Sequence, residues 1–272
     1  MSDFTNNIKD TVLLEIKNLN LSFGGIKAVQ NVSFELYENE LLGLIGPNGA
    51  GKTTVFNMIS GFYRADSGDI LFHDQNVIQN INALKPDAVN KIGIARTFQN
   101  IRLFGQLSVL DNVQLALQQR APIAWFDSIF RTKKYLQTEK DLKTESLELL
   151  KIFSLDVLSN EKASQLSYGL QRKLEIVRAL ATKPKLLILD EPAAGMNQTE
   201  TDDLKKLILF IKKNFNLTVL LIEHDMKFVM SICERIVVLN RGEKIADNIP
   251  AEIKKNNSVI EAYLGKRSVT HA

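Results

Sequence analysis

Apolar and polar residues alternate over the first part of the chain, which predicts antiparallel β-structure. The apolar positions of the first stretch, residues 11–23, are Val12, Leu14, Ile16, Leu19, Leu21 and Phe23. Gly24 and Gly25 predict a turn, and residues 28–36 alternate again. We therefore expect two half-buried strands joined by that turn.

Continuous apolar runs come later in the chain, and they predict strands that are buried on both faces, as in a parallel sheet. Three runs lead directly into polar residues: 41–45 before a glycine-rich loop, 186–189 before Asp190, and 219–222 before Glu223 and His224. Shorter strands are expected at 68–72 and at 91–98, the second leading to Gln99, and a hairpin is expected over 235–246.

Apolar residues at helical spacing separate these strands. They cover residues 107–158, 166–182 and 199–215, and one or two short helices are expected over 252–264. Ser167 is placed as the N-cap of the second of these helices. Strands that alternate with helices predict an α/β fold, interrupted by a helical segment between Gln99 and Ser167.

Composition excludes several classes of protein. With 272 residues and a net charge of +3, the chain suits one large domain or two small ones and is not basic enough to predict nucleic-acid binding. The lone Cys233 permits no internal disulfide and no zinc spacing. No apolar run reaches the roughly 18 residues of a membrane span. We expect a cytosolic chain that reaches a membrane only through a partner.

One aromatic and basic cluster allows two interpretations. Trp125, Phe126 and Phe130 lie beside Arg131, Lys133 and Lys134. A variable helical insert whose aromatic residues pack locally is one interpretation, and a membrane-surface or nucleic-acid patch is the other. The shortness of the basic run favours the first.

The glycine-rich loop after residues 41–45 carries the strongest chemical signal. Its residues are Gly46, Pro47, Asn48, Gly49, Ala50, Gly51, Lys52, Thr53 and Thr54, which match the P-loop pattern G-x-x-x-x-G-K-[ST]. A strand, this loop and a helix direct several backbone N–H groups toward one point, which favours bound phosphate. Lys52 would place a positive charge at the β- and γ-phosphates, and Thr53 would offer its hydroxyl to Mg²⁺.

Acidic and imidazole side chains follow two other buried strands. Asp190 supplies a carboxylate of the kind that holds Mg²⁺ in P-loop hydrolases, and we expect its strand beside the strand at 41–45. Glu191 points the other way and can polarise a water molecule, with Pro192 keeping it extended. His224 ends a strand at the same edge of the sheet, where it can contact a γ-phosphate.

Together these motifs resemble those of the ATP-binding subunits of ABC transporters, over nearly the whole chain. Residues 46–54 correspond to Walker A, 186–191 to Walker B, Gln99 to the Q-loop glutamine, His224 to the switch histidine, and 166–171 (Leu-Ser-Tyr-Gly-Leu-Gln) to the signature motif. The resemblance implies a P-loop NTPase fold of the RecA-like type, with a mixed sheet, an antiparallel β subdomain and an inserted helical subdomain. It divides the chain into an ATP-binding core (11–98 and 184–250), a helical subdomain (99–183) and a tail (251–272).

The same resemblance implies ATP and Mg²⁺ as cofactors. Glu191, His224 and Gln99 would act in hydrolysis, Thr53, Gln99 and Asp190 would hold Mg²⁺, and Phe23 would stack on adenine. ATP would lie between two ATP-binding subunits, identical or different, and Ser167 and Gly169 of one would meet the nucleotide held by the other. Closure on ATP would drive two membrane permease subunits at the cytoplasmic face of the inner or plasma membrane. An extracytoplasmic solute-binding protein would act indirectly, and no nucleic acid would take part.

Several segments resemble, more narrowly, the larger ATPase subunit of branched-chain amino acid importers. They are residues 93–104, 166–169, 171–176, 191–197, 222–227 and 262–265. Tyr168 stands where Gly is usual in the wider family, Leu170 where Gln is usual and Gln198 where Pro is usual. We expect hydrolysis to be retained, at the usual rate or a lower one. The alternatives are import of urea or other amides, lipopolysaccharide export, an ABC ATPase outside transport, and a small-molecule kinase.

Overall fold

A computed structural model describes residues 11–75, 77–120 and 132–264, which divide into two compact units. The first unit contains the chain up to Pro86 and from Ile211 onward, and the second contains Asp87–Phe210. The cluster from Trp125 to Arg131 lies outside the described residues. The division into core, helical subdomain and tail uses other boundaries and stays a prediction.

Eight strands lie in the described part of the first unit. They are β1 (Val12–Phe23), β2 (Ile26–Tyr37), β3 (Leu41–Ile45), β4 (Ser67–Asp74), β5 (Val77–Asn80), β8 (Thr218–Ile222), β9 (Arg235–Asn240) and β10 (Glu243–Asn248). The second unit contributes β6 (Ile94–Arg96) and β7 (Leu186–Asp190). The mixture of these strands with helices confirms the expected α/β class.

The helices, in chain order, are α1 (Lys52–Ile59), α2 (Pro86–Lys91), α3 (Val109–Gln118), α4 (Lys133–Ile152), α5 (Tyr168–Ala181), α6 (Gln198–Asn214), α7 (Met226–Ile232), α8 (Pro250–Ile253) and α9 (Asn257–Leu264). Short 3₁₀ turns cover Asp156–Leu158 and Ala163–Gln165. Within the three described ranges, no helix is long and apolar enough to cross a membrane.

The first sheet is antiparallel, as expected, with strand order β2-β1-β4-β5. The pairing of β1 with β2 shifts register between Ile16 and Leu19, where Asn18 takes a φ of 46°. This irregularity moves the apolar side chains from even to odd positions without exposing them, and both Ile16 and Leu19 are buried. A single long strand can therefore keep one face on the core.

The second sheet of this unit is mixed and has the order β10-β9-β3-β8. Strand β3 pairs in parallel with β8 on one side and with β9 on the other, and β10 runs antiparallel to β9. The expectation that β7 lies next to β3 is therefore wrong. Both positions beside β3 are taken by strands that come later in the chain, and chain order alone does not encode which strands pair.

In the second unit β6 and β7 pair in parallel, and β7 is buried at all five positions. The strand expected over 91–98 is shorter than predicted, because α2 extends to Lys91. Helix α3 begins at a capping box, in which Ser108 accepts from the Asp111 N–H and Asp111 accepts from the Ser108 N–H. The parallel strands place Asp190 at the carboxyl end of β7.

Candidate functional site

The loop that follows β3 is built around glycines that no other residue can replace without strain. At Gly46, where φ is 153°, an added Cβ would lie 2.1 Å from the Leu239 carbonyl oxygen. At Gly51, where φ is 99°, an added Cβ would lie 2.5 Å from the Ala28 carbonyl oxygen. Gly49 has a φ of 77° but open space around it. The loop is thus pressed against the backbone at both ends and is open in the middle.

A buried cation sits inside this loop. Lys52, the first residue of α1, is only 6% exposed, and its ammonium donates to the Gly46 carbonyl at 2.7 Å and to the Pro47 carbonyl at 3.0 Å. Thr53 is exposed and Thr54 is half-buried on the first turn of the same helix. The positive charge and the N-terminal N–H groups of α1 make this loop suited to an anion. In the middle of the loop Asn48 and Gly49 are exposed, whereas Ala50 is buried.

The end of β8 presents His224. The Glu223 side chain before it is buried, whereas the imidazole of His224 is 59% exposed. The His224 N–H donates to Glu223 Oε2 at 3.2 Å. Asp225 then caps α7 by accepting from the N–H groups of Lys227 and Phe228. A strand end and a helix cap thereby fix the backbone on both sides of an exposed imidazole.

Phe23 lies at the last position of β1 and is half-exposed. Its ring packs edge-to-face with Tyr63, with the centroids 5.3 Å apart and the planes at 69°. The contact with Tyr63 steadies the ring and leaves a large part of it open to an aromatic partner.

The second unit holds the other predicted polar residues. Asp190 is buried at the end of β7, and its Oδ2 accepts from Arg96 Nη2 at 2.8 Å. Arg96 ends the neighbouring strand β6, so parallel pairing brings the two charges to the same edge. A buried carboxylate needs such a partner, because an unpaired buried charge is costly. Arg96 was not predicted as a site residue, although it falls in the strand expected over 91–98 and in the segment 93–104 that resembles branched-chain amino acid importers.

Glu191 departs from the predicted backbone conformation. Its φ is +44°, in the left-handed region, so the expectation that Pro192 keeps it extended is wrong. A following proline disfavours only the right-handed helical region. The left-handed conformation is set by a sharp turn, in which the Ala194 N–H donates to the Glu191 carbonyl. This conformation stores roughly 1–3 kcal/mol of strain. Gln99 Nε2 donates to Glu191 Oε2 at 2.8 Å, so these two predicted residues are in direct contact.

The signature segment leads into α5. Ser167 occupies the N-cap position with extended backbone, as predicted, but its side chain makes no capping hydrogen bond. Ser167 is exposed and Gly169 is half-buried on the first turn. Leu170 lines a cavity of about 530 Å³ together with Leu207 and Phe210 of α6. The leucine that stands in place of the usual glutamine therefore lies near apolar residues of α6, in a cavity that charged residues such as Lys173 and Asp203 also line.

Comparison with known proteins agrees with this arrangement. Residues 29–194 match the family model described as ABC transporter, and the chain belongs to that family. It is 43% identical to the high-affinity branched-chain amino acid transport ATP-binding protein LivG of Escherichia coli K12, over 93% of this chain and 98% of that protein. It is 42% identical to BraF of Pseudomonas aeruginosa, over 93% of this chain and 98% of BraF. The lipopolysaccharide export ATP-binding protein LptB of E. coli K12 is 33% identical, over 93% of this chain and 97% of LptB.

Solved structures show the same fold. The ADP conformation of MJ1267, an ATP-binding cassette of an ABC transporter, superimposes with a TM-score of 0.80 at 31% identity and covers 94% of this chain and all of that one. A nucleotide-free ATP-binding cassette from an ABC transporter gives a TM-score of 0.79 at 31% identity, with the same coverage. The chain is an ATP-binding ABC ATPase, and the family, the fold class and the enzymatic activity expected from the sequence are confirmed.

Proposed function

We propose that the chain is the ATP-hydrolysing subunit that energises an importer of branched-chain amino acids. The observation that carries the hydrolytic part is the hydrogen bond from Gln99 to Glu191 at the end of a buried strand. The similarity to LivG and BraF, whose names state branched-chain amino acid transport, supports the solute.

The loop at 46–54 is proposed to hold the phosphates of ATP. Its glycines bring backbone N–H groups close to the nucleotide, and Lys52 would turn from its loop carbonyls to the β- and γ-phosphates. Phe23 would stack on adenine through the exposed face of its ring. Ser167 and Gly169 would contact the γ-phosphate of ATP bound to a second subunit, since they lie at a helix N-terminus.

Thr53, Gln99 and Asp190 are proposed to hold Mg²⁺, and their side chains fit this hard cation because all of them offer oxygen. The Gln99 amide nitrogen is engaged with Glu191, which leaves the amide oxygen as the ligand atom. Arg96 contacts Oδ2 of Asp190, so Oδ1 is the oxygen suited to the cation. Bound Mg²⁺ would supply charge neutralisation at the β- and γ-phosphates.

Glu191 is proposed to orient and polarise the attacking water. Gln99 holds one carboxylate oxygen, so the carboxylate is fixed in direction before the reaction. His224, exposed at the end of β8, would donate to the γ-phosphate and stabilise the charge that develops there.

The proposed partners are a second ATP-binding subunit, two membrane permeases and, indirectly, an extracytoplasmic solute-binding protein. Residues 99–104 would receive a permease helix. Phe104 there is 54% exposed, and the Arg178 guanidinium lies 5.5 Å from its ring centroid. An exposed aromatic ring backed by a cation is suited to an apolar helix with an acidic or polar end. The chain would then lie on the cytoplasmic face of the membrane.

The test is reconstitution with the proteins encoded beside this chain. We expect two permeases, a shorter ATPase and a solute-binding protein to be encoded there, and the complex in vesicles to hydrolyse ATP faster when the binding protein carries leucine. Stimulation by urea and not by leucine would contradict the proposed solute. Copurification with ribosomes in place of permeases would contradict the role in transport. Stimulation of ATP hydrolysis by lipopolysaccharide would contradict the role in import.

A further inference from the structure

A fully buried arginine lies behind the contact between Gln99 and Glu191. Nη1 of Arg172, on α5, donates to the Phe98 carbonyl at 2.7 Å and to Glu175 Oε2 at 2.6 Å. Nη2 of Arg172 donates to the Gln99 carbonyl at 2.8 Å and to the Tyr168 hydroxyl at 3.3 Å. Each terminal nitrogen of the guanidinium thus donates one hydrogen bond to a side chain of α5 and one to the backbone of Phe98 or Gln99. A planar fork of this kind fixes direction as well as distance.

Glu175 holds the same backbone through its other oxygen. Oε1 accepts from the N–H groups of Phe98 and Arg102, each at 3.3 Å. Burial raises the pKa of Glu175, and the charge of Arg172 and these N–H groups oppose that rise. The pair therefore binds the backbone of residues 98–102 on both sides: Arg172 donates to carbonyl groups, and Glu175 accepts from N–H groups.

Tyr168 extends the network to the segment after Glu191. Its hydroxyl donates to the Ala194 carbonyl at 2.9 Å, and the Ala194 N–H donates to the Glu191 carbonyl at 3.2 Å. Gln99 and Glu191 are thus connected twice. Their side chains share a direct hydrogen bond, and their backbones are linked indirectly by the hydrogen bonds of Arg172 and Tyr168. A glycine at position 168 could not make the second connection.

Stability alone does not require this network. A buried ion pair can usually be replaced by apolar residues of similar volume with little loss of stability. Apolar residues could not, however, donate a hydrogen bond to the carbonyl of Gln99, which is an exposed residue. The direction of the Gln99 side-chain amide therefore depends on Arg172, because Arg172 holds the backbone carbonyl of the same residue.

We propose that Arg172 and Tyr168 are positioning residues for ATP hydrolysis. They hold the Gln99 amide against Glu191 and tie both to the first turns of α5, which carry the signature motif. A displacement of residues 98–102 by a membrane partner would then be passed to Glu191 and to the signature together. The inference rests on the proposed roles of Gln99 and Glu191 in hydrolysis.

The first test is Tyr168→Phe in the full chain, assayed with Mg²⁺ and ATP. Loss of the two hydrogen bonds of the Tyr168 hydroxyl, to the Ala194 carbonyl and from Arg172 Nη2, is expected to lower kcat about fivefold while the Kd for ATP and the melting temperature stay unchanged. The matched control is Tyr135→Phe, which removes a hydroxyl that bonds Glu139 on α4. A kcat for Tyr168→Phe equal to that of Tyr135→Phe would overturn the proposal.

The second test uses Gln99→Ala as the background. If Tyr168 acts through Gln99, adding Tyr168→Phe to Gln99→Ala causes no further loss of kcat. A slow Gln99→Ala variant that loses a further fivefold would overturn the positioning role and leave the proposed function intact. A Gln99→Ala variant with wild-type kcat would overturn both.

The third test removes the ion pair as a unit. Arg172→Met combined with Glu175→Leu removes both charges of the pair. It also removes the charge that Glu175 offers to Arg178 and the acceptor of the Phe98 and Arg102 N–H groups, so we expect the variant to fold with a lowered melting temperature. Its kcat should fall about tenfold, because several hydrogen bonds to residues 98–102 are lost. A folded double variant with wild-type kcat would overturn the role of Arg172.

Discussion

Buried charges mark the residues that shape the proposed site. Lys52 is buried at the start of α1, Asp190 and Glu223 are buried at or just after the ends of β7 and β8, and Arg172 and Glu175 are buried on the helix that carries the signature motif. A charged side chain is costly to bury unless it is paired and hydrogen-bonded. All five lie in or beside the predicted motifs, and we propose that they serve the chemistry of the site. Glu40, which pairs with Arg235, is a buried charge outside these motifs.

Lys52→Ala tests this at the level of one residue. Removing the ammonium should weaken ATP binding about 10- to 100-fold, the value of a charge-assisted hydrogen bond to phosphate. Isothermal titration with ATP measures the change. Lys91→Ala is the matched control, because Lys91 lies at the surface and pairs only loosely with Asp87, at 3.8 Å. Unchanged affinity in Lys52→Ala would remove the phosphate-binding role of the loop.

Residues were predictable from the sequence where the chemistry depends on local spacing. Lys52 belongs to a pattern of eight consecutive residues, 46–53, and Asp190 directly follows its own apolar run. The partners of these groups were not predictable in the same way. Arg96 is 94 residues from Asp190 and Arg172 is 73 residues from Gln99, and nothing in the local pattern of either arginine signals the contact.

At the scale of elements, the segment most important for the proposed nucleotide site consists of β3, the loop that follows it and α1. The loop can close only because its first and last glycines approach other backbones. Gly46 lies against the carbonyl of Leu239 on β9, a strand that pairs with β3. The proposed phosphate-binding loop therefore depends on the neighbouring strand as well as on its own sequence.

Gly46→Ala tests this dependence. The methyl group would overlap the Leu239 carbonyl oxygen, so we expect a loss of roughly 2–4 kcal/mol in the free energy of unfolding. Urea unfolding followed by circular dichroism measures it. Gly105→Ala is the control, since a Cβ there meets only Ser164 Cβ, at an ordinary 3.4 Å. Equal stability of the two variants would contradict the steric account.

Elements were predicted well where hydrophobic patterns are strong, and poorly where tertiary contacts decide. The buried strands β3, β7 and β8 follow from their apolar runs. β5 was not predicted because all of its positions are exposed, and the turn at Glu191 was mistaken for extended chain because the proline rule describes only local sterics. The neighbours of β3 were mistaken because pairing is a long-range property.

At the scale of the whole molecule, the proposed chemistry calls for a second subunit. The chain offers a phosphate-binding loop and a signature segment, and we propose that each completes the site of a partner cassette. Hydrolysis would then end the closed state, since loss of the γ-phosphate removes the contacts that hold the two subunits together. Glu191 is the residue on which this step depends.

The rate of phosphate release by Glu191→Gln, compared with wild type at saturating ATP and Mg²⁺, tests the account most directly. Glutamine keeps the size and the hydrogen bond to Gln99 but cannot polarise water as a carboxylate does. The account predicts ATP affinity close to wild type, hydrolysis slower by about 100-fold or more, and accumulation of an ATP-bound dimer. A Glu191→Gln variant that releases phosphate as fast as the wild-type chain would contradict it.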